Sequence, residues 1–432
     1  MKNSKKEGVD RLRSTTAFVV VALAFMVNMM GTTLPTTIYR SYQLQYNLTS
    51  TTITELYAFG AVGVLGALVV AGNWSDQLGR RPMLLVGLYI AAASAVAFLF
   101  SHSLFGLMLG RLLSGISTGI FTGTATAALI EFAPPAWLRQ AAFVATASNM
   151  LGMGLGSILS GMLVEVLPWP MRLPYAVHLL LVCAAIPAVW RLPETARPFV
   201  RTKLRLQPIS LPREVRGAFV PAAMAAGAGF VVVGFFAAVA PRLIWSVLGY
   251  RSGITVGAII FLLFLSSAFG QRVQTKIPAP RRQPAGCGGL IAGLSCIALC
   301  VPEGSLDVLL IATVLAGMGQ GISFRAGLGD ITAKSPANRR AEVTSSFFVA
   351  LYVAISVPVI GIGFAVQLAG IQRATILFAG LTIAPVLVAL YLILRRDDRM
   401  IGETGAVKAD STGRRNTFDR GGVYGTTSGV DV

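Results

Sequence analysis

The chain is short of charge. Only 12% of its 432 residues are charged and 54% are hydrophobic, against about 25% and about 45–50% in ordinary soluble proteins. A soluble domain of this size could not cover so much apolar surface with so few charges. An ordinary cytosolic enzyme and a disordered protein are therefore excluded. Together with a mean hydropathy of +0.70, the composition indicates a helical protein that crosses a membrane many times.

Cysteine and histidine are also scarce. Four cysteines and two histidines form no disulfide framework and no set of metal ligands, so we expect no metal and no cofactor. Residues 115–119 (GISTG) have the spacing of a hydrolase nucleophile elbow. That motif needs a strand–turn–helix context, and here it lies inside a long apolar run. We therefore expect no catalytic residues and no enzyme activity.

Long apolar runs occur twelve times along the chain. About 20 mostly apolar residues suffice for a membrane-spanning helix, and in lipid each segment must satisfy its own backbone polar groups, so these runs are predicted to be helices. The predicted fold is all-α and integral to the membrane, with twelve transmembrane helices. The runs are 16–36, 51–71, 82–101, 104–131, 141–166, 174–192, 217–240, 253–271, 286–302, 306–330, 343–369 and 373–394.

Basic residues are distributed unevenly between the predicted loops. Of the 36 Lys and Arg residues, 29 lie on the side that carries both termini, 5 lie on the other side and 2 lie within runs. Because cytoplasmic loops are rich in Lys and Arg, both termini are predicted to be cytoplasmic and the membrane to be the plasma membrane. The net charge of +18 is then a signal of topology, and no nucleic-acid partner is expected.

The sequence repeats itself with a shift of 202 residues. Gly115 and Gly119 in the fourth run correspond to Gly317 and Gly321 in the tenth. Internal repeats of this kind are typical of transporters built from two related halves. The predicted organisation is an N-terminal six-helix half (1–192), a cytoplasmic linker (193–216), a pseudo-symmetric C-terminal six-helix half (217–394) and a disordered cytoplasmic tail (395–432).

The loop after the second run, residues 72–82, reads GNWSDQLGRRP. It resembles the G-x-x-x-D-x-x-G-R-R/K signature of the major facilitator superfamily. The two glycines would permit a tight turn, and Asp76 beside the arginines could pair with a helix N-terminus in one conformation and lose it in another. The resemblance implies a gating role for this loop and makes Glu131 the partner of Arg80. The signature positions are Gly72, Asp76, Gly79, Arg80 and Arg81.

Arg111, inside the fourth run, precedes Gly115 in a pattern that resembles the R-x-x-x-G motif of the same family. An arginine within an apolar span costs about 2.5–3.5 kcal/mol on insertion scales. We therefore expect Arg111 to face the bundle interior or a wet cavity; the alternative is that it snorkels to the headgroups. Residues 192–195 (LPET) also resemble the family where the sixth helix ends.

Glycines in the fifth run resemble the glycine-rich antiporter motif of the family, although Ser157 stands where that motif has proline and Ser160 replaces one of its closing glycines. Glycines four residues apart form a small-residue face that lets helices approach closely. The glycines expected to pack in this way are Gly115, Gly119, Gly152, Gly156, Gly317 and Gly321.

The resemblance implies that helices one, four, seven and ten line a central cavity. No acidic residue lies near the middle of any run; the deepest, Glu55, lies near the start of the second. Residues 52–55 (TITE) have the form of a capping box, so Glu55 is either a helix cap or a proton-linked site. The polar candidates for the substrate or proton pathway are Asn28, Glu55, Arg111, Gln320 and Arg325.

These patterns predict a secondary transporter that works by alternating access. The expected role is proton-linked efflux of a small amphipathic molecule by a monomeric antiporter. Uptake or exchange of a metabolite such as an organic anion is an alternative, and a non-transporting sensor or scaffold on the same fold is another. Because no mid-membrane carboxylate accompanies Arg111, neutral or anionic substrates are favoured over cations.

Overall fold

The computed structural model describes residues 2–195, 211–336 and 339–418, and these are helical with no strand among them. Eleven of the described helices are long and apolar enough to cross a membrane. Their ends lie close to those predicted, except that the first helix begins before 16 and continues beyond 36, and the ninth begins before 286. The helices are α1 (Lys2–Tyr46), α2 (Ser50–Ala71), α3 (Arg80–Leu99), α4 (Leu104–Phe132), α5 (Leu138–Val166), α6 (Leu173–Trp190), α7 (Arg213–Ala238), α8 (Gly253–Val273), α9 (Ala279–Glu303), α10 (Leu306–Lys334) and a last segment (Arg340–Phe418).

The last helical segment contains two crossings. Its apolar part, Glu342–Arg396, has 55 residues, and a straight helix of that length would be about 80 Å long, more than twice the thickness of a bilayer core. Gly370, with φ 81° and ψ 162°, interrupts it and divides α11 (340–369) from α12 (371–418). The prediction of twelve transmembrane helices is therefore confirmed.

The two parts of this segment run in opposite directions. Near its start, Val343 packs in a cluster with Val215 and Ala218 of α7. Near its apolar end, Ile393 lines a cleft that also includes Ala218. Both ends thus return to the same end of α7, as two antiparallel membrane helices require.

The linker and the tail differ from their predicted bounds. Of the predicted linker 193–216, residues 196–210 lie outside the described residues, and α7 already begins at Arg213. The tail was predicted to be disordered from 395, whereas helix is described as far as Phe418. A helix that is already nucleated gains one hydrogen bond for each residue added, so α12 can continue without apolar periodicity. Residues 419–432 lie outside the described residues.

The connections alternate between two faces of the bundle. We call the face with the loop 72–79 and the chain's N-terminal end the loop face, and the opposite one the far face. Four helices start at the far face with a Ser or Thr side chain that accepts a hydrogen bond from the first turn. These N-caps are Thr49 for α2, Ser103 for α4, Ser252 for α8 and Ser305 for α10. The caps of α2 and α4 recur in α8 and α10 with nearly the same shift as the glycines, which supports the six-plus-six repeat.

Helices within each half touch through glycine. On α4, Gly115 faces the carbonyl oxygen of Gly60 on α2, and on α10, Gly321 faces the carbonyl oxygen of Ser267 on α8. A Cβ atom at either glycine would collide with that backbone oxygen. The matched glycines, Gly119 and Gly317, lie against the same two partner helices, and on α5, Gly152 and Gly156 lie against α1.

The two halves meet through two interfaces related by the repeat. One joins α5 to α8, where Ser157 donates to the carbonyl oxygen of Gly257 at 3.2 Å. The other joins α2 to α11, where Thr51 donates to Oε1 of Gln367 at 2.7 Å and Gly363 lies against Thr54. These contacts between α2 and α11 lie in the far-face part of both helices.

The loop-face part of α2 packs within its own half. Ala67 and Ala71 belong to a cluster with Met83 of α3 and Ile120 of α4. The halves are therefore closed on each other at the far face, while α2 turns its loop-face end toward its own neighbours.

The glycine contacts give a direct test of the packing. Replacing Gly115 with Ala should push α4 away from α2, because the new Cβ would meet backbone rather than a flexible side chain. Overpacking of this kind costs about 1–3 kcal/mol, so the melting temperature of the purified protein should fall clearly. Gly123, on the same helix, has open space around it, and Gly123→Ala is the matched control. Equal melting temperatures for the two variants would contradict close packing at Gly115.

Candidate substrate cavity and signature loop

A cavity of about 90 Å³ lies between the two halves. Seven helices from both halves line it, and its walls are mostly apolar, with two tyrosines and one cation. No carboxylate is among its lining residues. Such a lining suits a small amphipathic molecule better than a strongly polar one. Representative lining residues are Thr32 on α1, Tyr57 on α2, Arg111 on α4, Met153 on α5, Phe264 on α8 and Tyr352 on α11.

Arg111 is buried in this wall, with 4% of its surface exposed. Its guanidinium donates to the carbonyl oxygen of Thr32 at 2.7 Å, and more weakly to those of Leu56 at 3.4 Å and Tyr57 at 3.5 Å. Its Cζ lies 5.3 Å from the ring centre of Tyr57. A carbonyl oxygen inside a helix has a second lone pair, so α1 and α2 can accept these bonds without unwinding. The side chain faces the interior, as expected, and joins three helices.

A row of threonines continues the polar wall along α4. Thr118 lines the cavity, and Thr122 and Thr126 follow at intervals of four residues toward the loop face. Each hydroxyl donates to the carbonyl oxygen four residues earlier, at 2.6–2.8 Å. Each oxygen keeps lone pairs for water or substrate. Sequence reasoning missed this row, although its spacing of four residues was visible.

Two predicted cavity residues lie elsewhere. Asn28 accepts a hydrogen bond from Ser117 at 2.7 Å and lines a separate small pocket of the N-terminal half with His178. Gln320 accepts one from Ser267 and packs against Gly229. A buried amide without water needs a protein partner. The amide oxygens of both residues find one within their own half, whereas Nδ2 of Asn28 has no recorded partner. Neither residue lines the central cavity in this structure, and their place on the substrate or proton pathway stays a prediction.

Arg325 lies at the interface between the halves rather than in the cavity wall. Its Nη1 donates to Oγ1 of Thr146 on α5 at 3.4 Å. Nearby, the Cζ of Arg272 lies 5.7 Å from the ring centre of Phe143. Both contacts cross from the C-terminal to the N-terminal half on the loop-face side of the cavity.

Glu55 is neither a cap nor a cavity residue here. The N-cap of α2 is Thr49, whose side chain accepts from the backbone N–H of Thr52 at 3.1 Å. The helix thus begins three residues before the predicted capping box, which is wrong. Glu55 shares the outer side of α2 with Phe59 and Val62, which are both exposed.

The signature loop is organised around Arg80. Its Nε and Nη2 donate to Oε1 of Glu131 at 3.1 and 3.0 Å, forming the predicted ion pair. Its Nη1 lies 2.6 Å from Oδ1 of Asp76. The side chain of Asp76 is 62% exposed, and Arg80 is its recorded ion-pair partner among the described residues. In this conformation Asp76 therefore pairs within its own loop.

Glu194, in the segment after α6, caps the start of α3. Its carboxylate accepts from the backbone N–H groups of Arg80 at 2.8 Å and Arg81 at 3.0 Å, where the helix dipole favours an anion. A Cβ atom on Gly79 would lie 2.6 Å from this carboxylate, and Gly79 has φ 108°. Gly79 is thus required by both its conformation and the close approach. Gly72 has an ordinary helical φ of −58°, so only one of the two glycines is needed for the turn.

The C-terminal half links the corresponding two helices through an amide and a carboxylate. Nε2 of Gln283, near the start of α9, donates to Oδ2 of Asp330, near the end of α10, at 3.0 Å. Arg80 and Glu131 join the corresponding ends of α3 and α4, although a shift of 202 residues would match them with Arg282 and Ala333 rather than with Gln283 and Asp330. Both halves thus link these helices near the loop face, but through different positions and groups, which the sequence comparison of the two halves did not predict.

A bundle of two related six-helix halves with a cavity between them defines a polytopic membrane transporter. The family model of the Major Facilitator Superfamily matches residues 17–359, and the chain belongs to that superfamily. It is therefore a multi-pass membrane protein of a family of transporters for small molecules.

Curated relatives match parts of the chain. A gallate transporter of Pseudomonas putida is 28% identical over 180 residues, which are 41% of this chain and 38% of that protein. The class B tetracycline resistance protein of Escherichia coli is 42% identical over 98 residues, 22% of this chain and 24% of that protein. The matched segments thus span well under half the length of these relatives. The solved structure of the human organic anion transporter MFSD10 (TETRAN) aligns with a TM-score of 0.62 and 19% identity, covering 88% of this chain and 99% of that one; this similarity shows the fold alone.

The contacts of Arg111 predict how its substitution acts. Lysine keeps the charge but lacks the planar fork that reaches several carbonyl oxygens at once. Arg111→Lys should lower the melting temperature and reduce transport of neutral and charged compounds alike, because α1, α2 and α4 lose a shared link. Arg172→Lys, at an exposed far-face position, is the control. A variant that loses only anion transport at unchanged stability would instead assign Arg111 to substrate binding.

The position of Glu55 predicts a mild effect of its substitution. Glu55→Gln removes a carboxylate that neither caps α2 nor lines the cavity, so transport driven by an imposed pH gradient should remain within about twofold of the wild type, in line with surface substitutions. Flux measured in proteoliposomes at equal protein content checks this. Collapse of pH-driven flux with surviving counterflow would place Glu55 on the proton pathway after all.

Proposed function

We propose that the protein moves a small amphipathic molecule across the membrane by alternating access. The observation that carries this proposal is the cavity walled by helices of both halves, which are closed on each other at the far face. In alternating access the halves rock about such a site. The threonine row of α4, which extends from the cavity toward the loop face, supports a path on that side.

We further propose that the loop face is cytoplasmic and that the protein resides in the plasma membrane with both termini inside. The excess of Lys and Arg in the loop-face connections supports this orientation. The described conformation is then inward-facing. The cavity lies within a single chain, which supports a monomer as the working unit.

The substrate that the cavity suits best is neutral or anionic. Tyr57, Tyr352 and Phe264 offer aromatic faces, and Arg111 supplies a positive charge without a carboxylate in the lining. An uncompensated buried cation disfavours a second cation by raising the local potential.

The proposed direction is export, coupled to protons as in an antiporter. The similarity to a tetracycline resistance protein supports export. Because the cavity lining has no carboxylate, proton binding would fall to the loop-face carboxylates Asp76, Glu131 and Glu194. Uptake or exchange of an organic anion is the second candidate, and it is favoured by the similarity to a gallate transporter. A sensor or scaffold is the third, and it would move no substrate.

Flux measurements would decide between these functions. The full-length protein is reconstituted in vesicles with an imposed pH gradient, and a matched panel of cationic, neutral and anionic aromatic compounds is followed in both directions. Proton-driven movement of neutral or anionic compounds against their gradient supports the proposal. A clear preference for cations would contradict the proposed substrate class, movement with the proton flow would favour uptake, and no flux of any compound would favour a sensor.

Asp76 is expected to control the conformational cycle. In this conformation the carboxylate of Asp76 pairs with Arg80 inside the loop. We propose that in the opposite conformation it contacts α11 instead. Asp76→Asn should keep the melting temperature and membrane level close to the wild type, because the side chain is largely exposed, but should reduce turnover about tenfold or more, the effect of 1.4 kcal/mol or more on a barrier. Wild-type flux at equal expression would remove Asp76 from the gate.

A further inference from the structure

A second cavity, of about 270 Å³, opens at the far face between the two halves. We call it the far-face vestibule. It shares no lining residue with the central cavity. Its walls come from the ends of α1 and α11, the starts of α2 and α8, and the short helix Ala240–Ser246 that follows α7. The vestibule therefore exists as one space only while the halves are closed at this face.

Three arginines gather around one tryptophan in the vestibule. The Cζ of Arg40, from the N-terminal half, lies 4.4 Å from the ring centre of Trp245, and that of Arg251 lies 5.4 Å from it. Arg242, one turn before Trp245, also lines the cavity. The far-face connections carry few basic residues, yet three of the five converge here. Arg172 and Arg373 are the two that do not line the vestibule.

No carboxylate is recorded as an ion-pair partner of these arginines within the described part of the chain. The ion pairs recorded there belong to Arg80 and Arg339, both at the loop face. The carboxylate next to the vestibule, on Glu165, accepts instead from the hydroxyl of Ser252 at 2.6 Å and the N–H of Ile254 at 2.9 Å. Burial and the neighbouring charge of Arg40 lower the pKa of Arg242, which is the effect expected of a cluster of uncompensated cations.

We propose that the far-face vestibule binds a small organic carboxylate and that its occupancy holds the far face closed. Guanidinium groups bind carboxylates through paired, charge-assisted hydrogen bonds. The apolar wall formed by Val239, Val256 and the ring of Trp245 suits the organic part of the ligand. The inference rests on the proposed alternation of the far face between closed and open states.

The link between binding and closure follows from the division of the arginines between the halves. Arg40 moves with the N-terminal half, whereas Trp245, Arg242 and Arg251 move with the other. Closure brings like charges together, and an anion between them removes that repulsion. A ligand shifts an equilibrium by its difference in affinity for the two states, and here the open state has no assembled site.

Binding can be measured without transport. The full-length protein in phosphatidylcholine nanodiscs is titrated calorimetrically with benzoate, with benzamide as the uncharged analogue and inorganic phosphate as a bare anion. Benzoate should bind at least tenfold more tightly than either. Arg242→Gln and Arg251→Gln should each weaken benzoate binding about tenfold, equivalent to 1.4 kcal/mol, whereas the control Arg373→Gln should not. Melting temperatures confirm that each variant is folded.

Several outcomes would overturn the proposal. Benzoate binding that survives all vestibule variants but is lost in Arg111→Lys belongs to the central cavity. Phosphate binding as tight as that of benzoate, or loss of benzoate binding when phosphatidylglycerol replaces part of the lipid, would make the site one for phosphate or lipid headgroups. None of these results depends on whether the protein transports the compound, so the proposal can fail while the proposed function stands.

Closure is tested by cross-linking. Thr51 and Gln367, which touch across the halves at the far face, are replaced by Cys in a variant whose four native cysteines are changed to Ser or Ala. Benzoate should raise the rate of disulfide formation severalfold, and Arg40→Gln should abolish this increase. An unchanged rate with benzoate bound would refute the coupling between the vestibule and closure.

Discussion

Contact between helix backbones at glycine is the constraint on which the rest of this bundle depends. Lipid gives little hydrophobic drive for helices to associate, so close packing has to hold them together. Gly115 and Gly63 bring α4 against α2, and this approach places the carbonyl oxygens of α2 within reach of Arg111. A larger spacing would leave the guanidinium without acceptors in an apolar interior. The buried charge of Arg111 is therefore tolerated in the membrane because Gly115 and Gly63 let the two helices approach closely.

The charged groups of the protein are handled in three different ways. Arg111 is buried and satisfied by backbone carbonyls, and Arg80 is shared between two carboxylates. Arg40 and Arg251 lie over the indole ring of Trp245, with no recorded ion-pair partner among the described residues. These arrangements differ in how many hydrogen-bond donors remain available to a ligand. The guanidinium of Arg111 has few free donors, and that of Arg80 belongs to a closed network within one half. The arginines of the vestibule have donors available to a ligand and come from both halves.

Much of the architecture follows from the sequence, because helical membrane proteins are governed by local rules. Apolar runs locate the helices, and the shared 202-residue shift of glycines reveals the two halves. The ion pair of Arg80 follows from a loop motif. The direction in which a side chain points from its helix was harder to predict. Asn28 lies only one turn from Thr32, yet it lines a different pocket. The predicted capping box that included Glu55 was wrong because both Thr49 and Thr52 can cap a helix, and the structure uses Thr49. The vestibule joins positions 40, 242 and 251, and no local pattern relates them before the chain is folded.

The link between Gln283 and Asp330 makes the two halves electrically unlike where these helices meet, because the Arg80–Glu131 pair has no net charge and the Gln283–Asp330 pair carries one negative charge. Salt screens mainly charges separated by more than a Debye length, about 10 Å at 0.1 M, and the Arg80–Glu131 contact of 3.0 Å is much shorter. The negative charge of Asp330 interacts instead with the surrounding cations Arg282, Lys334 and Arg396. One half thus joins its helices through a closely matched ion pair and the other through a carboxylate whose charge is shared among several cations, so a structurally symmetric rocking motion meets different local charge in the two halves.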